Sequence, residues 1–252
     1  MPISGFILRS TSDSDTDRPA FSIATEAADL AVEAFGNAKS MAEGREALVI
    51  ALETHASELV SVARQLQFRF GAQFDGLDFS LAPFPRDEQS IGEAIEGMGV
   101  PKIGLHGSLA AASILTEAVD RANFPHTGFS GFFQPVLEDS VLAARAAEGI
   151  LTIKDLLLYS AVCGTGLDTV PLPGDVSTDQ IAALLLDLSA LALRLDKPLT
   201  ARLMPIPGKQ AGDPTGFEFA FFANSKVMAL EAENLGGVFS SDEVFQLLAR
   251  KK

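Results

Sequence analysis

The pentapeptide GLHGS sets one imidazole, His106, directly before a glycine and a serine. This order suits a strand that ends where a helix begins, with Gly107 turning the chain and Ser108 as N-cap. In α/β folds ligands collect at the carboxyl ends of strands, and the free N–H groups of a following helix bind anions. His106 then either serves as a general acid or base beside an anion, or merely hydrogen-bonds the turn. In DGLDFSLA, Asp78 and Ser80 share one face while Leu77, Phe79 and Leu81 share the other. On the wet face of an antiparallel sheet they would meet water; inside a closed barrel Asp78 would need a partner or a task. Ser130 and Gln134 share a face of GFSGFFQPV in the same way. Glu138 and Asp139 follow at a helix start, where carboxylates offset the helix dipole, so their structural role outweighs a catalytic one. Arg202 alternates with apolar neighbours in LTARLMPIPG, and its planar fork fits a carboxylate, either of a ligand or of Asp78, Glu138 or Asp168.

The only cysteine, Cys163, stands in YSAVCGTGLDTVPLPGD. A helix begun at Thr152 and closed at Gly164 or Gly166 puts the thiol at the negative end of the helix dipole with Asp168 close in sequence. Such surroundings oppose a thiolate, so a small buried residue is favoured over a nucleophile, and Asp168 is the better polar participant. No cofactor is indicated, because GxGxxG, Walker, CxxC, HExxH and GxSxG patterns are absent. A tetrahedral zinc site is disfavoured without paired His or Cys. Oxygen-only binding of Mg²⁺ or Ca²⁺ by Asp78, Glu138, Asp139 or Asp168 stays open.

The elements that would position these groups alternate. Helices are expected from Thr25 and over about 41–68. Strands at DGLDFSLA, VPKIGL, GFSGFFQPV and LDTVPL are interleaved with helices over Ile91–Met98, SLAAASILTEAVDRA, EDSVLAARAAEG and TIKDLLLYSAVC. Ser177 and Gln180 form a capping box for the helix running to Leu195. LTARLMPI and FEFAFFANSKVMAL complete the pattern as a hairpin. This rhythm argues an α/β layered or barrel domain over residues 21–252, preceded by a flexible lead-in over residues 1–20.

The 252 residues, 47% of them hydrophobic, suffice for a real core. A net charge of −14 without a basic patch disfavours nucleic acid and anionic membranes. The most apolar run, Ile181–Leu195, is interrupted by Asp187 and Ser189 and falls short of the roughly 20 residues of a membrane span. One cysteine and no recognisable leader point to the cytoplasm.

The strings DFSLAPFP, GLHGS, SGFFQPVLEDS, AVCGTGLDTVPLPGD and RLMPIPGK resemble, in order, the motifs of a prokaryotic family catalogued as domain of unknown function 711, over about Phe21 to Met228. The resemblance implies a fold similar to the closed α/β barrel of glycyl-radical enzymes such as pyruvate formate-lyase, and names no activity. Radical catalysis is rejected, because NLGGVFSSDEVFQLLARKK lacks the Arg-Val-x-Gly-aromatic context and Cys163 has no adjacent cysteine. Members of the family are longer, and this chain resembles only their C-terminal part. An incomplete barrel would expose sheet edges, so a homo-oligomer or a companion chain is expected. The function read from the residues is that of an enzyme acting on a small anionic metabolite, with His106 as acid or base, Arg202 as clamp and Asp78 or Asp168 orienting them. The alternative is a non-catalytic small-molecule-binding or regulatory protein.

Overall fold

The computed structural model describes residues 3–9 and 19–250. Of the lead-in expected over residues 1–20, residues 10–18 lie outside the described residues, whereas Ile3–Arg9 form strand β1, antiparallel to β2 (Ala20–Glu26). β2 pairs in parallel with β3 (Gln73–Ser80), and β4 (Gly166–Pro173) pairs in parallel with β5 (Thr200–Ile206) in a second sheet. Between the sheets the chain at residues 126–135 joins both through single parallel bridges: Leu77 to His126, Leu81 to Phe132, and Pro135 to Asp168. The architecture is mixed α/β, and no closed barrel is detected among the described residues.

Helices α1 (Ala28–Gly36), α2 (Met41–Phe70), α3 (Ile91–Gly97) and α4 (Ser108–Arg121) pack together, and α2 also covers β3. Their boundaries follow local chemistry. The Ser40 hydroxyl accepts from the Glu43 N–H at 3.2 Å to start α2, and Gly71, in the left-handed conformation at φ 68°, ends it. Thr152 with Asp155 caps α6 (Ile153–Ser160), and Ser177 with Gln180 caps α7 (Thr178–Leu195), both as complete capping boxes. Asp139 is the N-cap of α5 (Ser140–Ala147), as its place at a helix start suggested.

Two faces divide the sheet region. Leu77, Phe79, Leu81 and Phe132 are fully buried with Leu48, Leu52, Ile91, Ile95 and Leu115 in one apolar core. The opposite face of β3 carries Asp78 and Ser80.

Several expected elements are absent. VPKIGL forms turns with one short-range bridge, and GFSGFFQPV supplies isolated bridges instead of a strand. Gly128 and Ser130 hold positive φ there (62° and 38°), which turns the backbone away from a regular ladder. FEFAFFANSKVMAL is likewise irregular, so no hairpin forms and β5 pairs with β4 alone. α6 stops at Ser160, before the glycines expected to close it; Gly166, at φ 108°, opens β4 instead. The helix expected from Thr25 begins at Ala28, because residues 20–26 extend into β2.

Candidate functional site

The sequence-predicted polar residues separate into three groups. The first gathers on Arg202. Its Nε donates to Asp168 Oδ1 at 2.5 Å and its Nη2 to Glu138 Oε2 at 3.0 Å. Asp168 is brought there because β4 lies beside β5, and Glu138 because the chain leaves its bridge to Asp168 at Pro135 and turns into α5. Asp168 is nearly buried, whereas half of the Arg202 side chain reaches solvent. Nη1 makes no hydrogen bond among the described residues.

A fourth member, Glu26, escaped the sequence reading because it was assigned to a helix. It closes β2, pairs in register with Ser80, and interacts repulsively with Glu138. Burial, and secondarily Glu138, push its carboxyl above the ordinary glutamate value. Glu138 is raised for the same first reason: burial outweighs the attraction of Arg202, and Asp168 adds repulsion. For Arg202 burial acts downward, but the bond to Asp168 leaves the guanidinium raised, so it stays charged. Two carboxyls on one guanidinium, with Glu26 acting on Glu138, leave an excess of negative charge, which one or two protons can relieve. That is the electrostatic setting of a carboxylate acid–base pair.

The second group is Asp78, Ser80 and Ser130. Asp78 accepts from the backbone N–H groups of Phe129 (3.0 Å) and Ser130 (2.8 Å) and from the Ser80 hydroxyl (2.5 Å). The Ser130 hydroxyl accepts from the Phe79 N–H at 3.2 Å and reaches the carbonyl oxygens of Thr127 and Leu77. Asp78 thus has the partners its burial demands, and they bind the irregular 126–135 segment to β3. Gly128 is required beside it: a Cβ there would overlap the Asp78 carboxylate. Gln134 is also structural, its Nε2 joining Leu156 O and Gly166 O at 2.9 Å each.

The third group is His106, Gly107 and Ser108 at the start of α4. His106 is exposed and makes no hydrogen bond to the other two groups. Gly107, at φ 108°, is the N-cap in place of Ser108. Ser108 is the first helical residue, and its hydroxyl donates to Leu105 O at 2.7 Å and accepts from the Gly104 N–H at 3.1 Å. It therefore fastens the turn that precedes the helix.

Cys163 is buried, and its sulfur accepts from the Gly166 N–H at 3.2 Å. The end of α6 is capped by Lys197, whose Nζ donates to Ser160 O (3.1 Å) and Cys163 O (2.5 Å), a contact that no local pattern announces. Among the described residues no group of three or more His, Cys, Asp or Glu is arranged to hold a metal ion. No helix there is long and apolar enough to cross a membrane.

The family model described as Uncharacterised ACR (DUF711) matches residues 4–224, a segment that contains all three groups. The chain belongs to this family. Relatives include UPF0210 proteins of Pyrobaculum arsenaticum (43% identical over 164 residues, 64% of this chain and 36% of the relative) and Methanopyrus kandleri (40% over 164 residues, the same shares). A UPF0210 protein of Lactobacillus delbrueckii subsp. bulgaricus is 34% identical over 177 residues, 69% of this chain and 39% of the relative. The chain therefore spans little more than a third of the length of the curated relatives it matches. Their names assign no activity.

Proposed function

We propose that the polar face bearing Glu26, Glu138, Asp168 and Arg202 binds a small polar metabolite, with Glu138 as its proton carrier. One observation carries this reading: a solvent-accessible guanidinium on β5 is held between two carboxylates, Asp168 of the paired strand β4 and Glu138 before α5, with a third carboxyl, Glu26, near Glu138. Arg202 retains Nη1 for a ligand oxygen. Glu138, raised by burial, can hold a proton nearer neutrality than an ordinary glutamate and return it. An anionic ligand would compete with Glu138 and Asp168 for Arg202, so neutral polyols and amines belong in the same screen as carboxylates.

The parallel succession of β2, β3, the 126–135 segment, β4 and β5 supports reading this sheet as part of an α/β barrel whose inner surface is the polar face. The barrel would be completed by further polypeptide. The single free thiol fits a cytoplasmic location.

The test is a thermal-shift panel of such metabolites, followed by turnover assays on each hit with the wild type, Arg202→Ala and Glu138→Gln. Arg202→Ala should abolish the ligand-induced shift, whereas Glu138→Gln should keep most of the shift and lose turnover. Hits that stabilise without being consumed would mark a binding protein. Shifts and turnover unchanged in both variants would move the site elsewhere, with His106→Asn as the next variant.

A further inference from the structure

Beyond the family match the chain folds back across the molecule. The Met228 N–H bonds Pro171 O at 2.8 Å, Gln180 Nε2 at the start of α7 donates to Ala232 O at 2.9 Å, and the Arg250 N–H reaches Arg194 O at 3.2 Å near the helix end. Residues 229–250 thus follow α7 along its length, irregular except for the short turn Gly237–Ser240.

The end of this tail has a graded sequence. Asp242 and Glu243 come first, Val244, Phe245, Leu247 and Leu248 follow, and Arg250, Lys251 and Lys252 come last. Its apolar part is turned outward: Val244 is 97% exposed, Phe245 78% and Leu248 61%. Leu193 and Leu195 of α7 are exposed as well, and a groove of about 420 Å³ runs between that helix end and the tail. Soluble chains seldom leave such side chains contiguous and bare without a partner.

Charge decides which partner fits. At −14 overall, copies of this chain repel one another, so any self-association surface must carry local compensation. The tail supplies it. When two tails run antiparallel about a two-fold axis, the acidic start of each meets the basic end of the other and the apolar centres coincide. We propose that the tail and the adjoining end of α7 form a self-complementary surface on which a second copy of this chain docks, tail against tail in antiparallel order. This surface is independent of the polar face.

The experiment is light scattering and sedimentation of the full chain over a range of concentrations. The wild type should be dimeric, and Phe245→Asp should weaken association tenfold or more. Two charge variants test the geometry: one with Asp242→Lys and Glu243→Lys, the other with Arg250→Glu, Lys251→Glu and Lys252→Glu. Each alone should be monomeric, while their mixture forms a heterodimer that weakens with added salt. Asp242, Glu243, Phe245 and Arg250 lie in an irregular part of the chain, and circular dichroism checks that the variants fold. A wild type monomeric throughout overturns the proposal, as does a dimer indifferent to Phe245→Asp. A mixture that stays monomeric while the wild type dimerises rejects the antiparallel arrangement.

Discussion

Five hydrogen bonds converge on the Asp139 carboxylate: from the Ser90 hydroxyl, from the N–H groups of Ile91 and Gly92 at the start of α3, and from those of Val141 and Leu142 in α5. Burial acts to raise its carboxyl and the donors to lower it. Removing the acceptor would orphan donors of two helices at once. Asp139→Ala should therefore cost about 2–4 kcal/mol in urea unfolding, with Asp139→Asn only partly better because its amide would oppose N–H donors. Glu26, like Asp139, is raised first of all by burial. Its carboxyl is raised, so the stability it contributes is fully present below the ordinary glutamate value and is lost as pH rises through the raised one. Glu26→Gln should accordingly raise the melting temperature at pH 8 and lose that advantage by pH 4, as melts across this range would show. A wild type already superior at pH 8 would refute the assignment.

At the scale of the elements, capping was legible where donor and acceptor lie within four residues. Ser177 and Gln180 form the box that their spacing indicates, and Ser177→Ala should cost about 1 kcal/mol. The strand at Asp75–Ala82 was legible from its period-two alternation. VPKIGL and GFSGFFQPV share that apolar alternation yet fail as strands, because positive φ at Gly104, Gly128 and Ser130 bends the backbone. Gly128→Ala tests this: crowding Asp78 and straining φ together should cost more than the roughly 1 kcal/mol of an ordinary glycine replacement, read by denaturation. In the candidate site, the sequence offered Asp78, Glu138 and Asp168 as partners of Arg202; the last two are, whereas Asp78 is taken up by Ser80 and the backbone of Phe129 and Ser130. Glu26 was hidden because the alanine-rich stretch after it reads as helix, and Lys197 because its contacts are made across the fold.

For the whole molecule, the segment past the family match is part of the core and not merely an appendage. Val227 and Met228 are buried beside β4, and Ser225 donates to Ala143 O at 2.7 Å. Truncation after Asn224 should lose about 1.5–3 kcal/mol for each of the two buried side chains, measured as a fall in the unfolding midpoint. They lie beside a cleft of about 790 Å³ between α7 and the tail.

The division of the β3 sheet into an apolar side and a polar side also bears on how this chain tolerates change. Leu77, Phe79 and Leu81 answer to the core, whereas Glu26, Glu138 and Arg202 carry little of its packing. A saturation library scored twice, once for cellular abundance and once for growth under whatever condition requires the protein, should therefore split along the strands. Substitutions at Leu77, Phe79 and Leu81 would depress both scores. Those at Glu26, Glu138 and Arg202 would spare abundance, and any loss of fitness at these positions would locate the protein's task.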